Sequence, residues 1–482
     1  MKRLLPLGLL AMASLGFSAT YHVKADMKTS VATVNLRLEE GNSRMFRMCA
    51  WAPGDYEIFD YGKQIASIEF KAKGKSVRAT TGSDPNLWIL DEPADEVVYT
   101  IKPSRANFGP NLRIRENELF LSGPGVLGWF DGHTREKQRL LIDKPTSGSK
   151  IYGSLPEDPN APTEAVGAIA KDYDELIDAP IVVGDKVKTK EFTVAGKPHF
   201  IVAYGTNEEA DMDGYAKVGA AVATQAKELF GELPYPKYCF MLDLNGQGGG
   251  LEHRNSARIG IPARVPPAGL GGIMFHEYFH CFNVKRIRAR PLGPFDYTKP
   301  AVTGALWWLE GVTDYYADVL LVRSGLSSRD NFVANLVGNI QGVSRGKYLQ
   351  ISADEASRKV WQSRGSFGFD GVNYYSKGSV AGAVLDLAIR AHSQGKRSLD
   401  DVIRQLWKEC RNDQPGFAEG RIRELCIQMG GPALGEIYDQ SVMRGGYLPM
   451  DSALEGLNLK FADQGFSGGS DPIFDRWPLA IK

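Results

Sequence analysis

The stretch Gly271-Gly272-Ile273-Met274-Phe275-His276-Glu277-Tyr278-Phe279-His280-Cys281-Phe282-Asn283-Val284 decides how the rest of this chain is read. From Ile273 onward it holds neither Gly nor Pro. It is apolar almost throughout, and Pro266 and Pro267 punctuate it upstream, so it predicts a buried helix. Residues four apart share a helix face, which lets the imidazoles of His276 and His280 reach one ion. Glu277 is then the carboxylate that serves such a site as general base. The bland alternative is a buried helix with two hydrogen-bonded core histidines. A third ligand separates the two readings.

That ligand is offered by Leu306-Trp307-Trp308-Leu309-Glu310-Gly311-Val312-Thr313-Asp314-Tyr315-Tyr316, a second Pro-free apolar run of helical type. Glu310 completes a two-His-one-Glu set of the kind that holds Zn2+ and leaves a fourth position open for chemistry. Asp314, one turn on, can accept a hydrogen bond from a ligand imidazole and fix its tautomer. A solvated acidic face is the alternative for Glu310 and Asp314; the Trp and Leu residues around them argue against it.

Four further stretches join these two in order: Trp51-Ala52-Pro53-Gly54-Asp55-Tyr56, Gly248-Gly249-Gly250-Leu251-Glu252-His253, Asn283-Val284-Lys285-Arg286-Ile287-Arg288 and Tyr375-Ser376-Lys377-Gly378. Together they resemble the glycyl aminopeptidase family of thermolysin-like (gluzincin) zinc metallopeptidases, over nearly the whole chain. The resemblance implies a thermolysin-like catalytic domain, one Zn2+ per chain on His276, His280 and Glu310, and peptide substrates. It also implies that Gly248 to Ser256 forms an edge strand of the cleft. Gly249 and Gly250 would there allow close approach to substrate, and Glu252 would bind the free α-amine of a peptide. Charge complementarity supports that role; taken alone, Glu252 reads as a solvent-facing strand residue. Tyr375 fits the family's oxyanion donor. Its neighbour Tyr374 stays open as the alternative, and either tyrosine could simply be packed in a core. Most relatives carry a PDZ domain after the helices. Residues 451–482 are too few for one and are expected to form a tail.

Composition sets the bounds. The chain has 482 residues, enough for two or three domains. A hydrophobic content of 43% and a charged content of 24% suit a globular protein with a sizeable core. With 57 basic and 57 acidic residues the net charge is +0, so nothing pulls the chain toward nucleic acid or an anionic membrane. The basic run Lys285-Arg286-Ile287-Arg288-Ala289-Arg290 is the local exception. It is expected to meet buried acids or solvent near the site, with a substrate-carboxylate role as the second reading. Met1-Lys2-Arg3, the apolar stretch from Leu4 to Phe17 and Ser18-Ala19 have the three parts of a secretory signal, too short for a membrane anchor. Export, periplasmic or secreted, is the expectation, without stable membrane insertion after signal removal. Of the five cysteines, Cys410 and Cys426 could pair, and Cys281 is expected to be a small buried hydrophobe.

The expected fold is α+β and multidomain: a signal over 1–19, an N-terminal all-β sandwich-like domain over 20–172, and a catalytic domain over 173–450 with a β lobe followed by a helical lobe. Period-2 alternation marks strands at Ala32–Leu38 and Ile68–Ala72, and Glu96–Ile101 is rich in β-branched residues. Ser147 to Ala170, rich in Gly and Pro, reads as a linker or a long surface connection. Val218, Val222 and Leu229 form a helical stripe closed by Gly231. The family resemblance implies release of small N-terminal residues, Gly or Ala, from peptides. Two readings remain beside it: a zinc endopeptidase or dipeptidase on the same scaffold, and a catalytically silent peptide-binding protein. Intact Glu277 and Tyr375 argue against the last.

Overall fold

Alternation builds the N-terminal part. In the strand Val31–Leu38, Ala32, Val34, Leu36 and Leu38 are buried and the residues between them are not, the pattern of a sheet with one covered face. This strand lies inside a seven-stranded sheet. Its spatial order is Ala165–Ala170, Gln138–Asp143, Ala19–Asp26, Val31–Leu38, Glu96–Ile101, Ile65–Ala72 and Lys75–Val77. A four-stranded sheet containing Ser43–Arg47 and Leu87–Ala94 packs on it. Phe46 reaches across to Phe70 and Tyr99, at ring-centroid distances of 5.7 and 5.6 Å. The expected sandwich is present. The structure is a computed structural model and describes residues 16–106, 109–115, 117–206, 209–244, 246–262, 265–363, 367–412, 414–462 and 464–481. Residues 1–15 of the expected signal lie outside these, and Ala19 already opens a strand.

The segment Ser147 to Ala170 is not a linker. It supplies the strands Lys150–Tyr152 and Ala165–Ala170, the second hydrogen-bonded along its whole length to Gln138–Asp143. Its glycines and prolines mark strand ends. Ala165–Ala170 escaped notice because both its faces are covered, which removes the alternation that a half-buried strand shows. The same core takes in helix α1 (Tyr173–Asp178) and the strand Ile181–Gly184, so residues 173–184 pack with the N-terminal unit.

The catalytic part begins with a five-stranded sheet, in the order Lys188–Val194, Lys197–Tyr204, Tyr238–Asp243, Ser256–Gly260 and Gly250–Glu252, the last at its edge. Helix α2 (Met212–Phe230) is capped at one end by Asp211, which accepts from Gly214 N, and is closed at the other by Gly231 at φ +83°. Helix α3 (Gly271–Phe279) packs against α2 and the strand Ser256–Gly260. The helical lobe follows as α4 (Val312–Arg323), α5 (Arg329–Val343), α6 (Ala353–Arg358), α7 (Tyr374–His392), α8 (Leu399–Cys410), α9 (Arg421–Gly430) and α10 (Ala433–Tyr438). Ser328 caps α5, its side chain accepting from Asn331 N.

Residues 451–482 do not hang free. A hairpin, Leu459–Ala462 with Gly465–Gly468, and a short helix, Pro472–Arg476, lead to Trp477, which is fully buried. Its indole N–H donates to Tyr315 Oη at 3.0 Å on α4 and to Asp386 Oδ2 at 2.9 Å on α7. All five cysteines are buried free thiols, so Cys410 and Cys426 are not joined. Among the described residues no helix is long and apolar enough to cross a membrane.

Candidate metal centre and active site

Helix α3 delivers the first three residues of the site. His276 and Glu277 lie in its last turn and His280 is its C-cap, and all three are buried. The two Nε2 atoms are 3.0 Å apart. Glu310 Oε2 lies 3.0 Å from His280 Nε2 and 3.8 Å from His276 Nε2. The sequence predicts an α-helix around Glu310, but the backbone there is a π-turn, Trp307–Gly311, running straight into α4. Such wide turns recur at functional sites. Two further contacts hold the turn. Asn283 Nδ2 donates to Trp308 O and to Thr313 Oγ1, both at 3.0 Å, tying the segment after α3 to the turn. Gly311 and Gly378 bring α7 against it, since a Cβ on Gly311 would collide with Gly378 Cα.

Each ligand imidazole is oriented by its far nitrogen. His276 Nδ1 stands 2.7 Å from Asp314 Oδ1, and His280 Nδ1 stands 2.7 Å from the carbonyl of Asn283. That is the outer-shell arrangement that fixes tautomers in metal sites. The donor set fits a divalent ion. His276, His280 and Glu310 each offer an atom within 4.8 Å of the others, and buried Glu310 Oε1 accepts no hydrogen bond among the described residues. Two nitrogens and one carboxylate oxygen make the set that catalytic zinc uses. Charge answers charge here. Burial alone would raise Glu310, yet the two imidazoles hold it well below the usual carboxylate range. Asp314 and Glu310 hold His276 above the usual histidine range, against burial.

Glu277 faces the same cavity, of about 470 Å3, as do Gly249, Gly250, Glu252, Asp314 and Tyr375. Burial lifts its carboxyl to about 7, with the imidazoles opposing and Glu252 and Glu310 adding to the rise. The edge strand runs against it so closely that a Cβ on Gly250 would fall within the Glu277 carboxylate. Glu252, the last residue of that strand, is buried, and together with Glu277 and His280 it offers atoms within 4.8 Å of one another. Tyr375 lies in the first turn of α7, where its backbone N–H donates to Asn373 Oδ1 at 2.7 Å. Its ring stacks on His276 with centroids 5.9 Å apart. Tyr374 is fully buried and does not line the cavity.

The basic run is structural. Lys285 Nζ donates to Asp178 Oδ1 at 3.0 Å and stands 3.6 Å from Glu252 Oε1. Arg286 donates to the carbonyls of Pro234, Arg254 and Cys281 and to Asn255 Oδ1. Lys285 thus meets buried acids beside the site, as expected of the basic run. Three other residues near the site carry no recognised signal in the sequence: Asn283 has no task assigned from its motif, Asp178 lies on α1, and Gly54 comes from the β unit, where it lines the cavity. The loop Trp51–Tyr56, with no role at the site assigned from sequence, therefore reaches it.

Comparison with known proteins follows this geometry. Residues 270–381 match the family M61 glycyl aminopeptidase, and residues 20–185 match the peptidase M61 N-terminal domain. A comparison with curated proteins gives no match. Among solved structures, an aminopeptidase N family protein from Idiomarina loihiensis is 25% identical, with a TM-score of 0.82; the alignment covers 92% of this chain and 78% of that one. An M1 zinc metallopeptidase from Deinococcus radiodurans shares the fold at 12% identity and a TM-score of 0.56, over 89% of this chain and 94% of its own. With its N-terminal and peptidase parts both matched, in order, the chain belongs to the M61 glycyl aminopeptidase family and is a metallopeptidase.

Proposed function

We propose that this metallopeptidase is a zinc-dependent aminopeptidase that removes one small residue, Gly or Ala, from the amino terminus of a peptide. The observation that carries the reading is the position of Glu252. Its carboxylate lies within 4.8 Å of Glu277 and His280, and the amine nitrogen and carbonyl carbon of a single residue are only about 2.5 Å apart. An α-ammonium held by Glu252 thus puts the first peptide carbonyl beside the chemistry, with no room for a second residue between. A zinc ion held by His276, His280 and Glu310 supplies Lewis acidity, which lets water act as a nucleophile near neutral pH.

The remaining work falls to side chains of this chain. Glu277, buried and lining the cavity beside the two imidazoles, takes a proton from the attacking water and returns it to the leaving amine. Tyr375, stacked on His276 and open to the cavity, donates a hydrogen bond from its hydroxyl to the carbonyl oxygen as charge builds there. Asp314 and the Asn283 carbonyl keep the imidazoles aimed. Export through the leader expected over residues 1–19 belongs to the same proposal, and peptides met outside the cytoplasm would be its substrates.

The test pairs metal analysis with glycyl and alanyl anilides, with and without chelator. Glu277→Gln is expected to retain the metal and to lose on the order of 10^3-fold in kcat, within the range for a general base. Substantial residual turnover by the metal-loaded variant would reject the base assignment.

A further inference from the structure

The cavity ends at a wall built partly by the β unit. In the edge strand, side chains alternate between two faces. Gly250 and Glu252 face the metal-site cavity, whereas Leu251 and His253 line a second cavity of about 240 Å3 together with Ala52 and Pro53. Gly54 stands at the partition. A Cβ placed on it would lie 2.7 Å from Oε1 and from Oε2 of Glu252, and 2.7 Å from Leu251 Cδ1. Its φ of +94° is a conformation that side chains other than glycine rarely adopt. The loop's backbone therefore lies directly against the Glu252 carboxylate.

An aromatic clamp holds that backbone in place across the boundary between the two parts of the chain. The Trp51 indole N–H donates to Asp296 O at 2.9 Å. Trp361 presents its edge to Trp51, with centroids 5.3 Å apart, and to Tyr56 at 5.9 Å, while Phe295 packs on Trp51 at 5.9 Å. Edge-to-face pairs of this kind each add roughly 0.5–1.5 kcal/mol beyond the area they bury. This loop is fixed rather than draped.

We propose that the Trp51–Tyr56 loop is the end stop of the peptide cleft, and that Gly54 sets the size of the compartment for the first amino group. The proposal rests on Glu252 as the amine anchor and adds the steric half of the selection. The carboxylate attracts an ammonium, and the loop refuses any chain that continues past it. Without the wall, an acylated or longer chain could run on into the second cavity. A methyl group at position 54 would take the volume that the ammonium needs.

Two variants of the full chain, assayed with alanyl-4-nitroanilide and its N-acetyl derivative, test this. Gly54→Ala is expected to raise KM for the free-amine substrate tenfold or more while kcat changes only a few-fold and metal content is kept. Trp361→Ala removes the clamp. It is expected to raise the ratio of blocked to free substrate hydrolysis at least tenfold. An unchanged KM in folded Gly54→Ala would overturn the end stop. Should Gly54→Ala not fold, an unchanged ratio in Trp361→Ala would overturn it as well. Glu252→Ala separates the two layers. A loss confined to the free-amine substrate, with both loop variants behaving as wild type, leaves the anchor and removes the stop; equal loss on both substrates removes the anchor itself.

Discussion

The proposed metal end of the cavity and its proposed amine end meet at His280, and they are assembled differently. At the metal end, His276, Glu277 and His280 come from one helix, and Glu310 and Asp314 come from one continuous π-turn and helix. At the amine end, Glu252 comes from an edge strand, Lys285 from the segment after α3, Asp178 from α1 and Gly54 from a loop of the β unit. Local spacing makes the first; only the docking of the two parts makes the second. Damage to the metal end should therefore show in chemistry, and damage to the amine end in recognition and in the union of the parts.

The largest expected effect lies at the metal end. Glu310→Ala removes the oxygen that stands 3.0 Å from His280 and leaves two ligands where catalytic zinc needs three. Metal content should drop well below that of the wild type, and anilide hydrolysis should fall by on the order of 10^3-fold or more. Zinc determination after dialysis, run beside the assay, checks both. Full metal content with full activity would mean that Glu310 is not a ligand, and the contrast between the two ends would lose its first term.

The same contrast explains what the sequence discloses. His276 and His280 are legible because a helix turns an i, i+4 spacing into a shared face, Glu310 because it is an acid within a second apolar run, and the strands Val31–Leu38 and Glu96–Ile101 because pleating turns alternation into a buried face. Ala165–Ala170 is hidden because its two covered faces erase that alternation. The π-turn at Trp307–Gly311 is hidden because its residues would suit an ordinary helix, and the contacts that hold it, from Asn283 and Gly378, come from outside the turn. Lys285 illustrates the limit best. The basic run is expected to meet buried acids, and Lys285 does, but which acids is illegible: they sit 107 and 33 positions away, at Asp178 and Glu252.

Lys285→Met sharpens the comparison at the amine end. Burial works against the Lys285 charge, and Asp178 and Glu252 together hold its pKa above the ordinary lysine value. Removing the ammonium leaves two largely buried carboxylates without it, a loss that costs roughly 3–5 kcal/mol in buried pairs. Chemical denaturation should show that loss, and because Asp178 belongs to the N-terminal unit, the two parts should come apart more easily. Metal content should be untouched. A variant as stable as wild type would show that the pair does not join the parts.

The smallest effect tests whether the metal end is as local as its ligands suggest. Gly378 lies where α7 crosses the π-turn, and a Cβ there would run into the carbonyl of Trp307. Backbone cannot swing aside as a flexible side chain can, so Gly378→Ala must push α7 away from the turn, at a cost of about 1–3 kcal/mol by the usual measure of overpacked cores. Tyr375 lies three residues earlier on that helix and stacks on His276, so the same shift should draw its hydroxyl away from the substrate oxygen. The expected signature is a fall in kcat of roughly tenfold, equivalent to about 1.4 kcal/mol, with KM and metal content near wild type. A loss of stability with kcat intact would mean that Tyr375 tolerates the displacement and that the helix crossing serves packing alone. A fall in kcat would show that even the end built from local spacing depends on one distant contact for its final ångström.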